Sequence, residues 1–521
     1  MKIMNSRGLR LRERAARPLR RSSLSATSFF KRLYSFKSDD WQKVQKSSQF
    51  SLFKNMATAV PAYREFLRAQ GLSGSTAKMS GDLQAIPAIT KANYLHAHQF
   101  ADLAWNGSMV SPQVLTSTSG STGKPTYFAR SYDVDDHASF IHELIFRTST
   151  LSPDSSTLVI VCFGMGVWIG GLITYQAFEL MGRRGYPISV LTPGINKAEI
   201  LKALTDVAPQ YDQIVLAGYP PFLKDVIDEA LARGISFDRH RVMLLFAAEA
   251  FTEKFRDHVA EKVGIKNRLT DSINIYGSAD IGTMAFETPL SILARRLAMG
   301  KPELFADLFG GTSKTPTFAQ YVPDFVSFDA PNGEILLSGN STLPLLRYSI
   351  GDHGGVYAFR DLVKKFKAHG IDLMKEASAA GIKKYITELP FVYVYERIDL
   401  ATTLYGLQVY PETIKEVLIN KPCAERLTGK LTLITKYDEN QDQYLEINLE
   451  RKPDAEVSEV FVAGLLSEIV KNLREKNSEF RELSNFLGKR SEPKLVFWPY
   501  EDPLYFKPGI KQKWVVRNNL T

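Results

Sequence analysis

Between residues 111 and 285, short apolar runs alternate with amphipathic stretches, and this alternation constrains the fold more than any other feature. Residues 158–163, 213–217, 242–247 and 273–276 read as strands. The stretches between and after them, 169–181, 197–205, 222–232 and 253–263, carry helical periodicity. Strands separated by helices of this length pair through crossovers, which predicts α/β units around a largely parallel sheet. Upstream, residues 39–110 read as mostly helical, with a turn around residues 71–74 and a break at Pro87.

Beyond residue 320 the texture changes. Short strands such as 334–338 and Phe391–Tyr395 lie among turns and predict a β-rich subdomain. Residues 400–521 predict a compact α+β unit, with strands at 431–436, 444–449 and 495–498 and a long amphipathic helix at 458–476. Residues 284–331 and 357–386 read as insertions or irregular connections.

Charge is unevenly placed. Residues 1–38 hold eight Arg and three Lys against a single acid, Glu13, for a net +10; the chain as a whole carries +9, so the rest is close to neutral. The basic character therefore belongs to a tail, and a nucleic-acid or membrane-surface role for the whole protein loses its support. Rich in Arg and Ser and poor in acids, the tail fits a disordered arm or a transit peptide, and it lacks the apolar segment of a secretory signal. Two cysteines, Cys162 and Cys423, are too few for a disulfide scaffold or a cysteine zinc site and fit a reducing, cytoplasmic setting, with organellar targeting by the tail left open. No apolar run approaches the ~20 residues that cross a bilayer.

The chemistry concentrates in Leu115-Thr-Ser-Thr-Ser-Gly-Ser-Thr-Gly-Lys-Pro-Thr126, where seven Ser/Thr and two Gly occupy twelve positions. Gly120 and Gly123 let backbone approach an anion. Ser119, Ser121 and Thr122 add hydroxyl donors, and Lys124 adds positive charge. The glycine spacing and Pro125 exclude a Walker A loop. A flexible Ser/Thr linker is the plain alternative.

This stretch resembles the phosphate loop of the adenylate-forming superfamily of acyl-CoA synthetases, adenylation domains and luciferases. Thr126 after the proline, and Ile86-Pro-Ala-Ile-Thr-Lys91 upstream, resemble the phenylacetate–CoA ligase-like branch. Four more elements follow in the family's order. Tyr276-Gly-Ser-Ala-Asp280 resembles its Tyr-Gly-x-x-Glu element, which implies that Tyr276, Gly277 and Ser278 lie against AMP and that Asp280 holds magnesium. Here Asp replaces Glu and Ala279 replaces Thr. Leu343-Pro-Leu-Leu-Arg-Tyr-Ser-Ile-Gly-Asp352 resembles the Arg-Tyr-x-x-Gly-Asp motif. A carboxylate at Asp352 offers two acceptors to the two ribose hydroxyls. Glu396-Arg-Ile-Asp399 resembles the hinge, with Arg397 on the nucleotide and Asp399 as pivot, although Glu396 stands where Gly is usual. Lys507-Pro-Gly-Ile-Lys-Gln-Lys513 resembles the element carrying the adenylation lysine. Lys511 is the choice, with Lys507 and Lys513 as alternatives because Ile510 intervenes.

The resemblance implies an α/β fold of two parts after the basic tail of residues 1–38. One is a large AMP-binding N-terminal domain (39–397), with α/β sheets and a β-rich subdomain. The other is a small, mobile C-terminal α+β domain (398–521). It implies ATP, Mg2+ and coenzyme A or carrier-protein phosphopantetheine as cofactors, a small-molecule carboxylic acid as substrate, and a carrier protein or an amine as alternative acceptor. No nucleic-acid partner is expected. A non-catalytic nucleotide-binding relative is the reading the motif departures leave open. Loops after predicted strands supply the candidate acyl pocket, namely Phe163, Gly164, Trp168, Tyr219, Ala248 and Glu249, since ligands of α/β sheets lie beyond the C-terminal strand ends. The histidines offer no ligand spacing. His96 and His98 read as surface or packed residues, and Asp135 and Asp136 as helix-start acids.

Overall fold

The computed structural model describes residues 24–72, 83–110, 114–118, 126–310, 315–395, 402–418, 420–506 and 515. Five strands form its parallel half: β3 (Thr157–Cys162), β4 (Ile188–Leu191), β5 (Gln213–Gly218), β6 (Arg241–Ala247) and β7 (Ser272–Ser278). Their order is 4–3–5–6–7, with crossovers through helices Ile169–Arg183, Lys197–Asp206, Pro220–Ala232 and Glu253–Lys262. β3 and β5 are buried along their whole length, as strands covered on both faces must be. Except for β4, which was not expected, these strands and helices match the expected positions to within two residues at each end.

The β-rich segment is hydrogen-bonded onto this half. β8 (Gly282–Phe286) turns back antiparallel to β7. β9 (Thr317–Gln320), β13 (Phe391–Tyr395), β12 (Leu345–Tyr357), β11 (Glu334–Gly339) and β10 (Val326–Asp329) then extend one sheet of eleven strands among the described residues. The stretches read as irregular are not so. Residues 284–331 carry helices Pro289–Met299 and Pro302–Phe309, each opened by proline in its first turn, where the missing N–H costs nothing. Residues 357–386 carry helices Phe359–Ala368 and Leu373–Ala379. Their apolar faces close a separate core around Leu304, Phe318, Leu362 and Phe366.

The expected tail also ends earlier than residue 38. Ala26–Ser35 is a helix capped by the Ser25 side chain, and it buries Phe29, Phe30 and Leu33. Phe29 stacks on Phe140 and Phe325, and Arg32 bonds Asp324 at 2.8 Å. The segment was misread because its three cations weighed more in composition than its i, i+1, i+4 apolar stripe.

The C-terminal unit is built on β16 (Leu427–Tyr437), β17 (Gln443–Arg451) and β18 (Lys494–Trp498), with helices Glu459–Lys476 and Ser478–Leu487. A hairpin, β14 (Thr402–Leu404) and β15 (Leu407–Val409), leads into it. The units meet through apolar packing, with Phe222 and Phe486 rings 5.3 Å apart, and through ion pairs from Lys224 to Asp442 (2.7 Å) and Arg490 to Asp225 (3.0 Å).

Candidate functional site

The site lies where the parallel half ends. Strands β3, β5, β6 and β7 stop together, and their C-terminal loops surround a cavity of about 310 Å³. Residues from segments far apart in sequence line it: Lys91, Thr118, Phe163, Tyr219, Tyr276, Asp280 and Asp352, and Gly406 from the hairpin.

Two tyrosine–carboxylate bonds order its polar side. The Tyr276 hydroxyl donates to Asp352 Oδ2 at 2.5 Å, and the Tyr348 hydroxyl donates to Asp280 Oδ2 at 2.7 Å. Lys91 Nζ stands 3.8 Å from Asp280 Oδ1. Both aspartates are largely buried, and each is held by at least one donor. The upstream element is tied in by backbone: Ile89 N–H donates to Arg347 O at 3.1 Å, and Ser349 N–H donates to Ile89 O at 2.8 Å. Arg347 holds a left-handed backbone, φ 51°, with its Nε donating to Ile86 O at 2.9 Å. Such a conformation costs ~1–3 kcal/mol and persists only where its surroundings demand it. Here it turns Tyr348 toward Asp280.

The phosphate-loop candidates Ser119, Gly120, Ser121, Thr122, Gly123 and Lys124 lie outside the described residues, but the foot of the loop does not. β1 (Val114–Ser117) and β2 (Tyr127–Arg130) pair antiparallel. Thr118 N–H donates to Thr126 O at 3.0 Å, and Thr126 N–H donates to Thr118 Oγ1 at 3.1 Å. His96 Nε2 sits 3.0 Å from Thr126 Oγ1. The two flanks of the loop are thus pinched together, and Thr118 lines the same cavity as Asp280. Arg397, Asp399 and Lys511, with Lys507 and Lys513, also lie outside the described residues.

On the apolar side Phe163, Trp168, Tyr219 and Ala248 line the cavity. Gly164 lines instead an adjoining slot shared with Trp168 and Tyr219. A Cβ at Gly164 would meet Trp168 at 2.9 Å, which accounts for the glycine. Ala248 has φ 76°, placed by Asn274 Nδ2 donating to Glu249 O at 3.0 Å. Glu249 lines the cavity and also uses its buried carboxylate to accept from Gly406 N–H and, at 3.3 Å, from Gln443 Nε2. It thereby pins the hairpin to the large unit. Gly406, φ 84°, passes so close to the Tyr219 ring that no side chain would fit.

Among the described residues no group of three or more His, Cys, Asp or Glu could hold a metal ion by itself. Lys91, Tyr348 and His96 belong to the site without having been singled out for it. For Lys91 and Tyr348 the signal was present, since both stand inside motifs already quoted.

No family model matches the chain, and no curated protein matches it. Solved structures do. A crystal structure of 2-hydroxyisobutyryl-CoA ligase in complex with 2-HIB-AMP and CoA, in the thioesterification state, is 15% identical, covers 94% of this chain and 92% of its own, and superposes with a TM-score of 0.62. The same ligase in the postadenylation state with 2-HIB-AMP is 14% identical over 94% and 92%, at 0.51. An open conformation with 2-HIB-AMP and CoA is 15% identical over 93% and 93%, also at 0.51. At these identities the likeness is one of fold, over nearly the whole length of both chains. Among the described residues no helix is long and apolar enough to cross a membrane.

Proposed function

We propose that the chain activates a carboxylic acid with ATP as an acyl-adenylate, releasing pyrophosphate, and then passes the acyl group to a thiol, in the first place that of coenzyme A. The observation that carries this reading is the convergence of Lys91, Thr118, Tyr276, Asp280 and Asp352 on one cavity. They come from four separate motif stretches, and a chance resemblance in sequence has no reason to converge in space.

The assigned roles follow from chemistry. Asp352 accepts the ribose hydroxyls, for which its Tyr276 bond already orients it. Asp280 holds magnesium at the phosphates, kept in place by Tyr348. The stretch from Ser119 to Lys124 cradles the phosphates, Arg397 contacts the nucleotide, and Lys511 neutralises charge developing at the α-phosphate. The acid lies against Phe163, Trp168 and Tyr219. Thr126 and the element ending at Lys91 support the phenylacetate–CoA ligase-like branch. Carrier-protein phosphopantetheine and an amine are the other acceptors. Two buried free thiols, Cys162 and Cys423, support a reducing, cytoplasmic setting.

In this reading residues 398–521 turn about Asp399 between two half-reactions. The higher overlap with the ligase's thioesterification state, 0.62 against 0.51 for the others, supports assigning the present arrangement to the transfer half. Acid-dependent exchange of labelled pyrophosphate into ATP, over a panel of aromatic and aliphatic acids, tests the activity. Lys511→Ala is expected to lower exchange by ~10²–10³ while sparing thiolysis of supplied acyl-AMP. Absence of exchange with every acid, or a Lys511→Ala variant that exchanges normally, would count against the mechanism.

A further inference from the structure

We propose that Glu479 is a catalytic residue of the transfer half-reaction, its carboxylate accepting the thiol proton as sulfur bonds to the acyl carbon. The inference rests on the acyl-transfer reading above and adds to it a residue that none of the sequence motifs contains.

The geometry is that of a seam. Trp168, Tyr219, Gly406 and Glu479 line both the main cavity and the smaller slot that adjoins it between the units. Glu479 is the one carboxylate lining both spaces among the described residues. An acceptor that reaches the cavity from this seam passes it. Its position is rigid. Asn477 caps helix Ser478–Leu487, accepting from Phe480 N–H at 3.0 Å, and donates from Nδ2 to Gln408 O on β15, also at 3.0 Å. Phe480, Leu483 and Leu487 anchor the helix in the core. Glu479 stands in the first turn, facing away from that apolar anchor. No hydrogen bond or ion pair engages its carboxylate among the described residues.

The electrostatics suit a base. The helix N-terminus favours the carboxylate, but burial, and next the charge of Glu482 one turn along, hold its pKa up at about 7. The other titratable groups facing the seam are Tyr219 and Tyr405, whose own ionisation is pushed up by burial, and Glu249, whose carboxylate is engaged by Gly406 and Gln443. A general base works best with a pKa near the working pH, and a thiol of about 8.5 is an accessible donor. The step balances. The thiol proton goes to Glu479, a C–S bond forms, the bond from the acyl carbon to the phosphate oxygen breaks, AMP leaves, and the proton passes to solvent.

The test separates the halves. Pyrophosphate exchange reports adenylation. Thiolysis is followed from supplied acyl-AMP, made from the acid that exchanges fastest, or hexanoyl- and benzoyl-AMP if none does, with coenzyme A, a phosphopantetheinylated carrier protein or an amine as acceptor. Glu479→Gln should leave exchange intact and slow thiolysis ~10²-fold or more at pH 7. The deficit should narrow as pH rises and as more acidic thiols are used, because thiolate then needs no base. In the unsubstituted protein, thiolysis should rise with pH through about 7, and Glu482→Gln should move that limb to lower pH. Coenzyme A and the carrier protein distinguish two sources of the same thiol. Equal thiolysis in Glu479→Gln and the parent, a deficit independent of pH and thiol acidity, equal loss of exchange and thiolysis, or transfer only to amines would overturn the proposal. Exchange absent with every acid would sink the adenylation reading instead, while the supplied acyl-AMP still scores Glu479.

Discussion

Two ion networks flank the site and are built on opposite principles. Inside the large unit, Arg256 and Arg295 meet Glu253 and Glu287 with side chains at most 8% exposed. Arg256 donates twice to Glu287, at 2.8 and 2.7 Å, and Glu287 accepts from Asn274 N–H at 2.8 Å, which fixes β7 just before Tyr276. Between the units, Lys224 meets Asp442, and Arg490 meets Asp225 and, at 3.4 Å, Asp442. Asp442 and Arg490 are 29% and 45% exposed, and Lys224 keeps Asp228 at 2.6 Å on its own helix if Asp442 leaves. The internal network cannot open without stranding buried charges on both sides, whereas at the seam Asp442, Arg490 and Lys224 keep water or a neighbour and Asp225, 2% exposed, is the one partner left buried. A strut and a latch can therefore be made from the same residue types, and burial decides which one results.

Deletion provides the scale against which both can be set. A third contact, the docking of helix Ala26–Ser35, rests mainly on apolar surface. Removing residues 1–38 should cost the burial of Phe29, Phe30 and Leu33, ~1.5–3 kcal/mol for each side chain before relaxation, whereas removing residues 1–23 should leave the denaturant midpoint in place. Equal midpoints for the two truncations would show that the helix contributes nothing.

Breaking the strut comes next. Arg256→Met leaves Glu287 short of one cation in a dry setting and should destabilise by ~3–5 kcal/mol. The loss should appear in equilibrium unfolding, with exchange falling only as the fold does. A shift no larger than that of a surface substitution would contradict the strut.

Opening the latch should have the smallest effect and a different signature. Asp442→Asn removes a part-exposed partner, worth ~0.2–1 kcal/mol, or up to about fivefold in the balance of the two arrangements. Thiolysis should slow relative to exchange, with the unfolding midpoint nearly unchanged. Raising the salt concentration should do the same to the parent, since exposed pairs are screened and buried ones are not. A variant that loses stability without changing the ratio of half-reactions would make the seam a second strut.

Much of this organisation was legible in the chain. The alternation from 157 to 278 located strands and helices because period and length are local properties. Proline-opened helices at Pro289 and Pro302 were missed where turn residues masked a short apolar face. The helix at Ala26 was hidden by the cations beside it. The candidate site was legible where a motif carried it, as at Tyr276, Asp280 and Asp352, which share the cavity. It was illegible where a residue acts from an ordinary helix, as Glu479 does.

By itself the sequence determined the elements, their α/β order and the chemical types available for a nucleotide and an acid, because propensity, periodicity and short motifs act over a few neighbours. Only the tertiary structure decided that Tyr348 would hold Asp280, that Tyr276 would hold Asp352, and that Glu249 would clasp Gly406 across the seam. It also decided which carboxylates are buried with partners and which face a cavity without one. Those outcomes depend on solvent exclusion by residues up to 157 positions away, and no local pattern records where water is excluded.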